Sequence, residues 1–252
     1  MEEALQIRIY GEANRPTLIY LPGLHGDWTL IGRFRHLVGN KVRFVEFTYP
    51  RSTTWSLDDY AAGVEAALED SGISNGWLLA ESFGSQIALR IIARSNFRAD
   101  GLILAGGFAR HPWQSVARLL GWLMDNLPLI VLRGMLSLYA RAARFRFRKA
   151  PETLANVRDF LARRTQADRR AMAHRLRLVA GNDPRLDACA IPVPVYAITG
   201  ALDPIVPWPF VRPWFRRQCG ALREYQIIWT ADHNVLSTGA EKAVRQILKW
   251  IE

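Results

Sequence analysis

The sequence predicts an α/β fold built on a mostly parallel, doubly wound sheet. Short and almost continuously apolar runs alternate with stretches of helical periodicity, and such runs are typical of strands that are buried on both faces of a parallel sheet. The chain has 252 residues, of which 50% are hydrophobic, so it is long enough to bury a substantial core. Glycine-containing turns follow several of the runs, and open α/β sheets bind ligands beyond the carboxyl ends of their strands.

Six apolar runs are predicted to form the strands of this sheet. They are Thr17–Leu21, Val42–Phe47, Trp77–Ala80, Leu102–Ala105, Val193–Ile198 and Tyr225–Trp229. Helical patterns follow the third run at Gln86–Arg94 and close the chain at Ala240–Trp250. In a sheet of this kind, reactive side chains are expected directly after the runs.

The segment from residue 108 to residue 186 interrupts this alternation. It holds 16 of the 33 Lys and Arg residues but only 5 of the 23 acidic residues, so the net charge of +10 resides there. Apolar residues and arginines interleave at helical spacing, as in Val157–Arg164, which predicts a helical insertion between the fourth and fifth strands. We therefore expect a core domain formed by residues 1–107 and 187–252, with residues 108–186 as a helical, Arg-rich cap.

The most informative stretch for chemistry is Ala80–Ser85, which lies between the third strand and a helix. A serine on a tight strand-to-helix turn needs small residues two positions before and two positions after it. Ala80 and Gly84 meet this requirement around Ser82, and the N-terminus of the next helix favours developing negative charge there. Taken alone, the same stretch would also fit a loop serine that caps a helix.

Two later residues favour a nucleophilic role for Ser82. Asp203 follows the fifth strand and His233 follows the sixth. A serine hydroxyl needs an adjacent base, and the base needs a carboxylate that fixes its tautomer and stabilises its cation. Serine, acid and histidine occur here in the chain order of one hydrolase architecture. Each could be an ordinary loop residue by itself, but together they predict Ser82 as nucleophile, His233 as base and Asp203 as acid.

A glycine-rich turn, Leu21–Gly26, follows the first strand. Acyl transfer needs two backbone N–H groups aimed at the developing oxyanion, and we expect them from Leu24 and from Phe83, the residue after Ser82. Gly23 and Gly26 allow the backbone to approach a substrate closely. His25 is expected to support the loop through a side-chain hydrogen bond rather than to transfer protons.

With these motifs the chain resembles the α/β-hydrolase superfamily over nearly its whole length. The resemblance implies an eight-stranded, mostly parallel sheet with a helical cap. It also implies a serine hydrolase that cleaves a small-molecule carboxylic ester or thioester through an acyl-enzyme, without a cofactor or metal. Ala80 and Ser85 stand where the family often has glycine. Ser82 argues against the dehalogenases and epoxide hydrolases of the superfamily, which use Asp at this position, and favours esterase, thioesterase, lipase or peptidase chemistry.

Composition also bears on the location of the protein. The N-terminal stretch Met1–Gln6 is acidic and has no apolar segment of the signal-peptide type. The longest nearly apolar run, Leu119–Leu132, is shorter than the roughly 20 residues of a membrane-spanning helix. We therefore expect a soluble, cytoplasmic protein. Cys189 and Cys219 lie outside any CxxC pair, so neither a disulfide framework nor a zinc or redox site is expected.

The Arg-rich cap leaves several interpretations open. It would be a solvated helix face, a patch for an acidic partner such as acyl carrier protein or coenzyme A, or a surface for anionic lipid. The residues suited to lipid are Trp113, Trp122, Arg118 and Arg133. Nucleic acid is disfavoured because no nucleic-acid motif is present. The apolar segment Trp113–Tyr139 would either line an acyl-binding pocket or pack on the core.

The rival functions follow from these surfaces. An acyl-carrier or acyl-CoA thioesterase would use the basic patch, and a membrane-surface lysophospholipase or lipase would use the lipid-facing surface. A non-catalytic binding protein on the same fold is the rival from another class. The pattern leaves the acyl chain, the leaving group and the oligomeric state open.

Overall fold

A computed structural model describes residues 4–126, Gly134, Arg141 and 165–252 of the chain. Within these residues, seven strands form one sheet in the order β1-β3-β2-β4-β5-β6-β7. Strand β1 pairs antiparallel with β3, and every other neighbouring pair is parallel. The strands are β1 Gln6–Tyr10, β2 Thr17–Leu21, β3 Arg43–Thr48, β4 Asn75–Glu81, β5 Arg98–Ala105, β6 Val195–Gly200 and β7 Leu222–Ile228.

The expected count of eight strands is wrong for the described residues, which hold seven. The number eight came from the family resemblance alone. Here a single antiparallel strand, β1, completes the pairing of β3 at the edge of the sheet. The six predicted runs all form strands, and they are the six that pair in parallel.

Helices cover both faces of the sheet, which is the doubly wound arrangement that the sequence predicts. In the described residues they are α1 Gly32–Val38, α2 Leu57–Asp70, α3 Gly84–Arg94, α4 Gln114–Asn126, α5 Gln166–Gly181, α6 Arg185–Cys189, α7 Trp208–Gln218, α8 Val235–Thr238 and α9 Ala240–Ile251. Helices α2, α3 and α7 contribute to one buried cluster, and α1, α8 and α9 contribute to the other. None of the helices described here has both the length and the hydropathy of a membrane-spanning segment.

Two helices of the predicted cap are described, and they pack against each other and on the core. Ala117 of α4 and Val179 of α5 belong to the larger buried cluster. Helix α5 begins at a capping box, in which Thr165 and Asp168 exchange side-chain and backbone hydrogen bonds. The helical pattern at Val157–Arg164 and, apart from Gly134, the part of the Trp113–Tyr139 segment after residue 126 lie outside the described residues. The division into a core domain and a cap stays a prediction.

Part of the described basic charge in this segment is engaged in internal contacts. Arg177 pairs with Asp125. Arg110 and Arg185 both pair with Asp183, at 3.6 and 2.8 Å. These arginines therefore lie beside carboxylates instead of presenting an unbroken positive face, and exposed pairs of this kind add little to stability.

Candidate active site

Ser82 lies on a sharp turn between β4 and α3. Its backbone φ is +49°, in the left-handed region that non-glycine residues rarely adopt. The Ser82 N–H donates to the carbonyl O of Ala105 at 3.0 Å, which fixes the turn to β5. A Cβ at Gly84 would collide with the carbonyl O of Leu21. The small residue that the sequence analysis requires two positions after Ser82 is therefore a steric necessity.

The side chains after the turn hold it against the loop that follows β5. Ser85 Oγ lies 2.6 Å from the carbonyl O of Ser82 and 2.9 Å from that of Phe108. Gln86 Nε2 donates to the carbonyl O atoms of Phe108 and Ala109, each at 2.9 Å. The hydroxyl of Ser85 thus makes a hydrogen bond where the family often has glycine, and this departure is compatible with the turn.

Ser82, His233 and Asp203 form a continuous hydrogen-bonded chain. His233 Nε2 lies 2.9 Å from Ser82 Oγ, and His233 Nδ1 lies 2.8 Å from Asp203 Oδ2. The other carboxylate oxygen, Oδ1, accepts from the N–H groups of Ile205 and Val206 at 2.8 and 2.9 Å. Because the carboxylate is held at both oxygens, it favours the tautomer with its proton on Nδ1 and leaves Nε2 to accept the serine proton.

The loops after β6 and β7 can meet because Gly200 has no side chain. A Cβ at Gly200 would collide with the carbonyl O atoms of Ala231 and Asp232. The Leu202 N–H donates to the carbonyl O of Ala231 at 3.1 Å, and Asp232 Oδ1 accepts from the Thr238 hydroxyl at 3.0 Å. The Leu202–Ala231 contact joins the loop that carries Asp203 to the loop that carries His233. The side chain of Asp232 is hydrogen-bonded within the second of these loops.

The three residues are largely removed from water, with exposed fractions of 9% for Ser82, 6% for Asp203 and 8% for His233. Burial alone lowers the pKa of His233. The hydrogen bond and charge of Asp203, with smaller contributions from Glu81 and Asp232, outweigh it, so the pKa of His233 is raised above its ordinary value. A histidine with a raised pKa is a stronger base towards a neighbouring hydroxyl.

The glycine-rich turn after β2 lies beside Ser82. A Cβ at Gly23 would be 3.4 Å from Ser82 Cβ. The Gly26 N–H donates to the carbonyl O of Gly23 at 2.9 Å, which closes a tight turn around Leu24. Within residues 4–126 and 165–252, neither the Leu24 N–H nor the Phe83 N–H donates to a backbone carbonyl. Phe83 follows Ser82 in the chain and Leu24 follows Gly23, and their role as oxyanion donors stays a prediction.

His25 is part of this turn. A Cβ at Gly23 would be 3.5 Å from His25 Cε1, and His25 lines a cavity of about 200 Å³ together with Arg51 and Asp168. The specific side-chain hydrogen bond expected from His25 stays a prediction.

Arg175 of α5 is a residue of the site that sequence reasoning missed. It is 2% exposed. Its Nη1 donates to the carbonyl O of Leu24 at 3.0 Å, its Nη2 to the carbonyl O of Pro50 at 3.0 Å, and its Nε to the Tyr60 hydroxyl at 3.3 Å. A Cβ at Gly26 would collide with the guanidinium. In the sequence, this contact is reflected by the absence of a side chain at Gly26.

Two more buried ionisable residues near the site were not predicted. His111 Nδ1 accepts from the Trp113 N–H at 3.1 Å. Burial, and then the neighbouring His233, lower the pKa of His111 below its ordinary value. Glu81, the buried residue before Ser82, accepts a hydrogen bond from the Tyr20 hydroxyl. No motif in the sequence distinguishes either position.

A cavity of about 610 Å³ opens beside the loop that follows β5. Aromatic rings and arginines line it, and the described residues of its walls include no carboxylate. His111 is one of the lining residues, and the charge of His233 contributes to lowering the pKa of His111. The lining includes Arg110, His111, Trp113, Arg118, Arg185 and Trp214. Ser82, Asp203 and His233 are not among its described lining residues.

Comparisons with known proteins agree with this architecture. No curated protein sequence matches the chain. Among solved structures, the enol-lactonase from Burkholderia xenovorans is similar with a TM-score of 0.79 and 18% identity, covering 98% of this chain and 96% of that chain. A thermophilic esterase from Thermogutta terrifontis has a TM-score of 0.76 and 18% identity over 98% and 92% of the two chains. An esterase from Exiguobacterium antarcticum has a TM-score of 0.77 and 13% identity over 98% and 95%.

At these identities the structural similarities show the fold. The sequence itself goes further, because the sequence profile of the Alpha/beta hydrolase family matches residues 18–246. This match covers most of the chain, from β2 into α9. The chain therefore belongs to the alpha/beta hydrolase family.

Proposed function

We propose that the protein is a serine hydrolase that cleaves a carboxylic ester through an acyl-enzyme. The observation that carries the proposal is the hydrogen-bonded chain from Ser82 Oγ through His233 to Asp203. Membership of the alpha/beta hydrolase family supports hydrolase chemistry. The esterases and the enol-lactonase among the similar structures support an ester as the bond that is cleaved.

In the proposed reaction, His233 Nε2 takes the hydroxyl proton as Ser82 Oγ attacks the ester carbonyl carbon. The N–H groups of Leu24 and Phe83 donate to the tetrahedral oxyanion, and Asp203 stabilises the imidazolium. His233 then protonates the leaving alkoxide, which leaves Ser82 acylated. A water molecule deprotonated by His233 attacks the acyl carbonyl, and collapse of the second intermediate releases the acid while the proton returns to Ser82 Oγ.

The cavity beside His111 does not include Ser82, Asp203 or His233 among its described lining residues. It bears on the substrate as the place into which a part of the ester away from the reacting carbonyl would extend. Because its described walls carry Arg118 and aromatic rings but no carboxylate, neutral and anionic esters fit it better than cationic ones. A thioester of similar size would react by the same steps.

A membrane-surface lipase or lysophospholipase is a second candidate because of the exposed surface of α4. Val116, Leu119, Leu120 and Trp122 are exposed there, Trp122 to 60%, and Arg118 is exposed beside them. Apolar side chains next to a cation suit contact with anionic lipid. Co-sedimentation with anionic vesicles at low ionic strength tests this candidate, and a protein that stays in the supernatant excludes it.

A thioesterase for carrier-bound acyl groups and a non-catalytic binding protein have less support. The ion pairs of Arg110, Arg177 and Arg185 with neighbouring carboxylates reduce the basic surface available to an acidic carrier protein. A non-catalytic binding protein would have no use for the hydrogen-bonded Ser82 and His233. The cytoplasmic location stays a prediction.

Hydrolysis of short p-nitrophenyl esters by the wild type and by Ser82→Ala tests the proposed function. We expect turnover by the wild type and a loss of about 10⁴- to 10⁶-fold in kcat for Ser82→Ala, because the acyl-enzyme cannot form. Ser74→Ala, at an exposed serine after α2, is the matched control and should keep wild-type activity. Equal activity of Ser82→Ala and the wild type, or an inactive wild type, would contradict the proposal.

A further inference from the structure

We propose that Arg175 is a positioning residue that holds Leu24 in the orientation required of an oxyanion donor, so that docking of α5 on the core completes the site. The proposal rests on the proposed function, because the Leu24 N–H acts as an oxyanion donor only if the reaction forms a tetrahedral oxyanion. Arg175 itself acts through the backbone of Leu24 and does not contact the reacting atoms.

The burial and the partners of Arg175 point to this role. Its side chain is almost completely removed from water. Its three hydrogen bonds to described residues all go to neutral acceptors, the carbonyl O atoms of Leu24 and Pro50 and the hydroxyl of Tyr60. Burying a guanidinium is costly and is tolerated only when its donors are satisfied. The cation therefore fixes the position of the atoms that satisfy it.

Arg175 holds one of the two peptide groups that flank the Leu24 Cα. The turn is closed by the bond from the Gly26 N–H to the Gly23 carbonyl at 2.9 Å, and it is joined to the loop after β3 by the bond from the Tyr49 N–H to the Gly26 carbonyl at 2.8 Å. The Gly23 carbonyl shares its planar peptide group with the Leu24 N–H, so the bond from Gly26 orients that group. Arg175 holds the next peptide group through the Leu24 carbonyl. The two bonds together fix both peptide groups that flank the Leu24 Cα, and loss of Arg175 releases one of them.

The socket around Arg175 fits a planar guanidinium. Its Cζ lies 5.6 Å from the ring centroid of Tyr49 and 5.8 Å from that of Tyr60, within reach of a cation–π attraction. The missing Cβ of Gly26 leaves the space that the guanidinium occupies. The planar fork reaches the carbonyl groups of Leu24 and Pro50 at the same time, which a lysine ammonium on one stem cannot do.

Helix α5 is attached to the loop after β3 at two further points. Asp168 Oδ1 accepts from Arg51 Nε at 2.7 Å, and His174 Nε2 lies 2.7 Å from the carbonyl O of Trp55. Arg175 adds its bond to Pro50 in the same loop. Arg175 is 151 residues away from Leu24 in sequence. In this proposal, helix α5 of the predicted cap thereby controls the geometry of the glycine-rich turn after β2.

Three variants on α5 test the proposal. Arg175→Met removes the guanidinium with little change in length, and Arg175→Lys keeps the charge without the fork. Arg177 lies on the same helix as Arg175 and forms an exposed pair with Asp125 of α4. Arg177→Gln breaks this pair and is the matched control. We expect kcat of Arg175→Met to fall about 10- to 100-fold with little change in KM, because the donor is misplaced rather than removed. Arg175→Lys should be intermediate and Arg177→Gln unchanged.

Two readouts separate positioning from a general loss of structure. A trifluoromethyl ketone forms a hemiketal whose oxyanion occupies the same place as the transition-state oxygen, so its Ki should rise in parallel with the loss in kcat/KM. The acidic midpoint of the pH profile, which reports His233, should not move. A general loss of structure around Ser82 would instead shift both the acidic midpoint of the pH profile and KM.

Hydrogen–deuterium exchange of a peptide covering residues 18–28 tests the contact without catalysis. We expect faster exchange in Arg175→Met and Arg175→Lys but not in Arg177→Gln. A folded Arg175→Met with wild-type kcat, ketone Ki and exchange overturns the proposal. If that variant does not fold, wild-type values for Arg175→Lys overturn it instead. An inactive wild type would contradict the proposed function, and exchange would still decide whether Arg175 holds the turn.

Discussion

Asp203 determines both the tautomer and the proton affinity of His233. Its Oδ2 lies 2.8 Å from Nδ1, which leaves Nε2 facing Ser82 Oγ. Burial opposes the cation, but the hydrogen bond and charge of Asp203 prevail, so the pKa of His233 is raised. Only the neutral imidazole can accept the serine proton. Activity should therefore be lost as the pH falls through a midpoint above the ordinary value for histidine.

Replacing Asp203 tests this reasoning. We expect Asp203→Asn to lower kcat about 10⁴-fold, because an amide N–H at this position favours the wrong tautomer of His233. The acidic limb of the remaining activity should move to lower pH, since the charge that raises the pKa of His233 is lost while burial remains. The pH profile of kcat/KM measures both effects. Asp70→Asn, at the exposed end of α2, is the control, and an unmoved acidic limb in Asp203→Asn would be evidence against this role of Asp203.

Single residues also show where sequence reasoning ends. The proximity of Ser82, Asp203 and His233 could be predicted because each follows a strand of the parallel sheet, and the carboxyl ends of parallel strands meet at one edge. Arg175 could not, because it is one of 33 basic residues and its helix has no motif that distinguishes it. Its role depends on contacts across 151 residues and on the missing side chain of Gly26, which have no local pattern.

Among the secondary-structure elements, the site depends on how closely α3 approaches the end of β2. Gly84 begins α3, and a Cβ there would collide with the carbonyl O of Leu21. The backbone of β2 is buried and paired on both sides, by β3 and β4, so it cannot yield. The contact keeps the turn at Ser82 next to the glycine-rich turn that follows β2.

Gly84→Ala should therefore destabilise the fold. We expect a loss of about 1–3 kcal/mol or more in the free energy of unfolding, because the added methyl group overpacks a rigid site. Gly181→Ala is a matched control at the exposed end of α5, where a Cβ would meet no described atom within 4 Å, and it should be neutral or slightly stabilising. Urea unfolding of both variants measures the difference. Equal stability of the two variants would mean that α3 does not need this close approach.

The elements differ in how well their sequence predicts them. The six parallel strands could be predicted because burial on both faces leaves continuous apolar runs. Strand β1 was missed because it is an edge strand whose residues are mostly exposed, so only Ile7 packs on the core. Strand β7 begins at Leu222, earlier than predicted, since the second edge of the sheet is also partly exposed. The capping box at Thr165 is visible in the sequence but has meaning only once α5 is placed.

The charge of the whole molecule acts on substrates before they reach the site. The net charge of +10 is concentrated in residues 108–186, and a field of this sign attracts anions. We expect kcat/KM for the anionic ester mono-p-nitrophenyl succinate to fall between about 0.01 and 1 M salt, as the Debye length shrinks from about 30 to about 3 Å. The neutral ester p-nitrophenyl butyrate serves as the control and should respond little. The same salt response for both esters would remove the electrostatic role of this segment.

The central claim is that Ser82 is the nucleophile of a serine hydrolase. The most direct measurement is labelling with a fluorophosphonate, followed by the intact mass and by mapping of the modified peptide. We predict a single adduct on Ser82, absent in Ser82→Ala and much slower to form in His233→Gln, because the hydroxyl needs His233 as its base. An adduct on another residue, or equal labelling of the wild type and Ser82→Ala, would contradict the claim.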